Sequence, residues 1–164
     1  MSGGLARALA GLDALSRAAI VLAFTGMIAA VSAQVVLRYV FNDSIDWAED
    51  LARLLFVWTI FLAIPLGVRA GVHIGVGLLV DALPAALRRG LSRVTALAGL
   101  GLMAVVAWSA AVLLPEQWDE LLPTLPWSVG WMLVPIALGA AHSALHLVAI
   151  AWRGPATDPA LSAE

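Results

Sequence analysis

The feature that most constrains this chain is the spacing of its charges. Between them lie four apolar stretches long enough to cross a bilayer. Ala18 to Leu37 is bounded by Arg17 and Arg38, Val94 to Pro115 by Arg93 and Glu116, and Trp127 to Trp152 ends at Arg153. Leu54 to Val68 is short, but a helix begun at Trp47 runs to Val68 and covers about 33 Å at ~1.5 Å per residue. Backbone in lipid must satisfy its own hydrogen bonds, so each stretch is predicted to be a helix. The expected spans are 18–37, 47–68, 94–115 and 127–152 of an all-α integral membrane domain covering 1–153.

Composition agrees. The chain has 164 residues, 62% hydrophobic and 12% charged, with a mean hydropathy of +0.96. A water-soluble domain needs far more polar surface. The net charge of −2 offers no basic face for nucleic acid. Cysteine is absent, which removes disulfides, thiolate metal sites and a cysteine nucleophile.

Arginine placement sets the expected topology. Arg7 and Arg17 precede span one, Arg69, Arg88, Arg89 and Arg93 lie between spans two and three, and Arg153 follows span four. Only Arg38 and Arg53 face the other side, beside Asp43, Asp46, Glu49, Asp50, Glu116, Asp119 and Glu120. Both termini are therefore expected in the cytoplasm, with two acidic loops outside. Residues 1–17 read as a short amphipathic lead resting on the membrane surface, with Leu5, Leu9, Leu12 and Leu15 near one face. A signal-peptide reading is disfavoured by Asp13 and by the apolar run past Ala33. Residues 154–164 read as a disordered cytoplasmic tail.

The opening of span two carries the densest polar pattern. Asp46 has capping-box spacing to Glu49. Glu49 and Asp50 both lie within helical reach of Arg53, and Arg38 can join them. This is either a structural charge network at the rim or a docking surface for another polypeptide. Trp47 sits at the boundary. Below it, Leu51, Leu54, Trp58, Phe61 and Pro65 form a helix-packing seam, with Pro65 expected to bend the helix. Ala63, Gly67, Gly71 and Gly75 recur every fourth residue, a spacing that admits close packing within the chain or against a partner. Arg69 and His73 share another face, where lipid phosphate or a partner can meet them. His142 and His146 stand one turn apart in span four. No carboxylate is assigned to a span near them, so neutral imidazoles bonded to a neighbouring helix are expected and no metal site. No catalytic constellation or cofactor ligand set is present.

The series Arg38-Tyr39-Val40-Phe41, Trp47-Ala48-Glu49-Asp50, Arg53, Phe56, Trp58, Phe61-Leu62, Arg69, Gly71, His73-Ile74 and Leu83-Pro84 resembles the small membrane subunit of tripartite ATP-independent periplasmic (TRAP) transporters, the DctQ-like proteins. Two departures are Asp50, where a second Glu is usual, and Ala63-Ile64-Pro65, where a Gly-containing step is usual. The resemblance implies a non-catalytic subunit without cofactors in a bacterial or archaeal inner membrane. It implies two protein partners besides lipid. One is a large ion-coupled permease that the subunit braces. The other is a periplasmic substrate-binding protein, typically delivering an organic acid. An independent, homodimeric ion-coupled carrier or exporter is the alternative; it would require a membrane-embedded acid, for which Glu49 is the nearest candidate. A membrane enzyme using His142 and His146 is a third reading.

Overall fold

The computed structural model describes residues 3–43, 45–70 and 85–153. Four helices occupy almost all of them: α1 Gly3–Val40, α2 Trp47–Arg69, α3 Ala85–Glu116 and α4 Gly130–Arg153. Each is long and apolar enough to cross a membrane. The α2 boundaries match expectation to within one residue because charged rims delimit it on both sides. Gly71, His73 and Gly75, the Leu83-Pro84 step and the 154–164 tail lie outside the described residues.

Residues 1–17 depart from expectation. From Gly3 onward they form no separate surface element but the first turns of α1. Leu12 and Leu15 are exposed, and Asp13 and Ser16 turn inward instead. At 38 residues α1 is about 57 Å long, well beyond a hydrocarbon core of about 30 Å. Its early turns place Asp13 beside Arg69 at the end of α2 and His142 and His146 of α4.

The helices pack in the spatial order α1, α2, α4, α3. They form a row, with α2 and α4 inside and α1 and α3 at the edges. Small residues mark every junction. A Cβ on Gly26 of α1 would lie 3.3 Å from Leu55 of α2, and one on Gly99 of α3 would lie 3.3 Å from Leu147 of α4. A Cβ on Gly139 of α4 would collide with the Phe61 carbonyl of α2. That carbonyl is the one Pro65, four residues on, leaves without its helical N–H donor. By contrast Ala63 is exposed, and a Cβ on Gly67 would meet nothing within 4 Å. Among the described residues the close approaches thus use Gly26, Gly99 and Gly139 rather than Ala63 or Gly67.

α1 ends at a reversal where Asn42 adopts a left-handed backbone (φ 52°), a conformation asparagine tolerates well. The connection between α3 and α4 is a folded hairpin. The Leu122 N–H donates to the Trp127 carbonyl and the Val129 N–H to the Glu120 carbonyl, both at 2.8 Å. Trp118 and Trp131 rings lie against each other, centroids 5.9 Å apart.

Candidate functional site

Two polar clusters lie at opposite ends of the row. The first is at the end where α1 finishes and α2 begins. Asp46 precedes α2 but has helical backbone angles and makes no side-chain cap, so the capping box does not form. Glu49 pairs with Arg53 at 3.1 Å in an exposed contact. Asp50 is buried and lies 3.8 Å from Arg53. Its stronger partner is Thr124 in the hairpin, whose backbone N–H and Oγ1 both donate to Asp50 Oδ2, at 2.8 and 2.6 Å. Burial of a carboxylate requires such donors, and Thr124 is the residue that sequence reasoning missed. Nothing local links positions 50 and 124.

Beside this contact is a cleft of about 590 Å³ lined by Gln34, Arg38, Asn42, Asp43, Asp46 and Glu49, with Ile45 and Thr124. Arg38 thus lines the cleft from the end of α1 and takes no part in the ion pairs of Glu49 and Asp50 among the described residues. Trp47, the first residue of α2, is half-exposed at the same rim, as are Trp118 and Trp127. One level deeper, Trp58 is half-buried and its Nε1 donates to the Trp131 carbonyl of α4 at 3.1 Å.

The second cluster lies where α2 finishes, among Asp13 of α1, Arg69 of α2, and His142 and His146 in the second half of α4. Here the expectation that no carboxylate stands near the histidines is overturned. Asp13 is 1% exposed, and His142 and His146 are 8% and 6% exposed. Asp13 Oδ1 lies 2.9 Å from His146 Nε2 and 3.1 Å from His142 Nε2. Arg69 Nη1 donates to Asp13 Oδ2 at 2.6 Å. Ser16 Oγ lies 3.5 Å from His142 Nδ1. Arg69, expected to meet lipid or a partner, instead joins α2 to α1. Asp13 was missed because it was assigned to a surface lead. Its spacing of three from Ser16 was the available signal, two polar residues on one face of an otherwise apolar stretch.

Residues 27–156 match the family described as tripartite ATP-independent periplasmic transporters, DctQ component. The chain belongs to this family. It is a transporter subunit of a non-catalytic family, and a multi-pass membrane protein. Among relatives, this DctQ component is 28% identical over 130 residues to a putative TRAP transporter small permease protein of Haemophilus influenzae, covering 79% of this chain and 71% of the relative. It is 40% identical over 57 residues to the C4-dicarboxylate TRAP transporter small permease protein DctQ of Vibrio cholerae, covering 35% of this chain and 25% of that one. A 97-residue match at 27% identity covers 57% of this chain and only 15% of the isethionate TRAP transporter permease protein DctMQ of Oleidesulfovibrio alaskensis. The matched stretches thus span a quarter or less of the Vibrio and Oleidesulfovibrio relatives.

Proposed function

We propose that this DctQ component braces a large, ion-coupled permease in a bacterial or archaeal inner membrane and helps to seat a periplasmic binding protein that delivers an organic acid. The observation that carries the reading is the open row of helices. Its edge helices present apolar faces along their length: Val21, Leu22, Phe24, Val35 and Val36 on α1, and Val94, Leu97, Leu102, Val105 and Trp108 on α3 are all exposed. A helix apolar on its outer face needs lipid or protein against it. The outward Ala63 and Gly67 leave α2 open to a partner backbone as well. The DctMQ relative, whose matched part is a small share of a much longer chain, supports a large permease as that partner.

The end carrying Arg38, Glu49 and the hairpin is the periplasmic one on this reading, because arginines concentrate at the other end. The Arg38-to-Glu49 cleft is then the contact region for the binding protein. An independent carrier finds less support. Glu49, the candidate acid that reading relied on, is exposed at the rim.

The test is co-expression with the permease and binding protein found beside it in its genome. The expected result is that the chain copurifies with the permease, that proteoliposomes take up substrate only with all three proteins, and that Arg38→Glu lowers uptake while leaving the membrane complex intact. Robust uptake by this chain alone would overturn the reading, as would failure to associate with any large membrane protein.

A further inference from the structure

We propose that Asp13 Oδ1, His142 Nε2 and His146 Nε2 bind one divalent transition-metal ion of the zinc class. The three atoms come from α1 and α4 and all point at one another. Their separations are 2.9 Å for Asp13–His146, 3.1 Å for Asp13–His142 and 3.2 Å for His142–His146. Metal–ligand bonds of about 2.1 Å place neighbouring ligands about 3.0 Å apart on an octahedral face and about 3.4 Å apart in a tetrahedron. The two edges at His142 lie within that range, and the Asp13–His146 edge falls just below its octahedral end. All three residues are buried, so the ligands are shielded and held rather than mobile at a surface.

Hydrogen bonding satisfies this triangle in one arrangement only, with both imidazoles donating to the same carboxylate oxygen. Each imidazole Nε2 is either a donor or an acceptor. If both donate to Asp13 Oδ1, two N–H groups stand side by side along the His142–His146 edge. If one histidine donates to the other, the acceptor faces the carboxylate oxygen lone pair to lone pair. A cation at the centre instead uses the three lone pairs at once. The surroundings suit that state. With its hydrogen on Nδ1, His142 would donate to Ser16 Oγ, 3.5 Å away, and leave Nε2 free for a metal. Arg69 bonds the other carboxylate oxygen, which orients Asp13 and leaves Oδ1 available. Arg69 is half-exposed, so water screens its charge from the ion. Two imidazoles and one carboxylate select zinc, cobalt or nickel over magnesium and calcium, which require oxygen-rich shells. Such an ion would clamp the first third of α1 to the second half of α4. The inference stands independently of the transport reading.

The experiment uses the full chain purified in detergent without a polyhistidine tag, stripped with chelator and titrated with Zn²⁺ and Co²⁺. The expected result is saturable binding of one ion per chain, visible ligand-field bands with Co²⁺ that Zn²⁺ abolishes, and no competition from Mg²⁺ or Ca²⁺. His142→Gln and His146→Gln, checked for helicity and monodisperse elution, should each weaken Zn²⁺ binding by about tenfold or more. Asp13→Asn should do the same; the two histidine variants decide the question if it misfolds. Absence of saturable binding by the folded chain would overturn the proposal. So would affinity unchanged in both histidine variants.

Discussion

The indole nitrogen of Trp58 donates to the carbonyl of Trp131, and that carbonyl is the one that Pro135, four residues on, leaves without a helical donor. Pro65 creates the same vacancy at Phe61, where Gly139 packs against the freed oxygen. The two central helices thus meet at two points where proline has exposed backbone. In lipid an unbonded carbonyl is costly, so each proline is tolerated because the neighbouring helix covers what it frees.

Trp58→Phe should therefore cost about 1 kcal/mol of stability in detergent. The cost should shrink in a Pro135→Ala background, where the Trp131 carbonyl regains a helical N–H. A double-mutant cycle followed by thermal unfolding measures that coupling, and equal costs in both backgrounds would refute it.

Gly139→Ala should destabilise by about 2 kcal/mol or more, because its methyl group meets rigid backbone. Gly67→Ala meets open space and should be neutral or gain about 0.5 kcal/mol from helix propensity. Thermal unfolding of the two variants side by side checks the difference in sign.

Asp50 and Arg53 stand close together but differ in consequence. Asp50→Ala removes both bonds that tie the hairpin to α2 and Thr124→Val removes the hydroxyl one, and each should speed proteolysis between α3 and α4. Arg53→Gln removes an exposed pair with Glu49, which contributes little, and only a long 3.8 Å contact with Asp50, and should leave the cleavage rate unchanged.

Ser143 is fully buried, and its Oγ has no hydrogen-bond partner among the described residues. A buried hydroxyl without a partner gives no stability. Ser143→Ala should fall within about 0.5 kcal/mol of the parent, or slightly above it, in the same unfolding assay.

Legibility differed sharply between the two ends of the molecule. At the α2 start, Glu49, Asp50 and Arg53 sit within helical reach of one another, so their pairing follows from the chain itself. Thr124 does not, because it arrives through the fold of a hairpin. At the opposite end, His142 and His146 stand out as polar residues in an apolar span. Their carboxylate was hidden because Asp13 reads as part of a surface lead when helix continuity is unknown.

The sequence by itself determined the number of membrane helices, where α2 begins and ends, and the division of charge between the two rims. These follow from rules that act on each segment alone: charge stays out of hydrocarbon, and backbone in lipid bonds to itself. Only the tertiary structure decided that the helices form a row in the order α1, α2, α4, α3. It also decided that Gly139 rather than Gly67 is the close contact, and that Asp13 reaches two histidines over a hundred residues away. Those outcomes depend on how each helix is rotated and which neighbour it meets, and neither is a property of one helix.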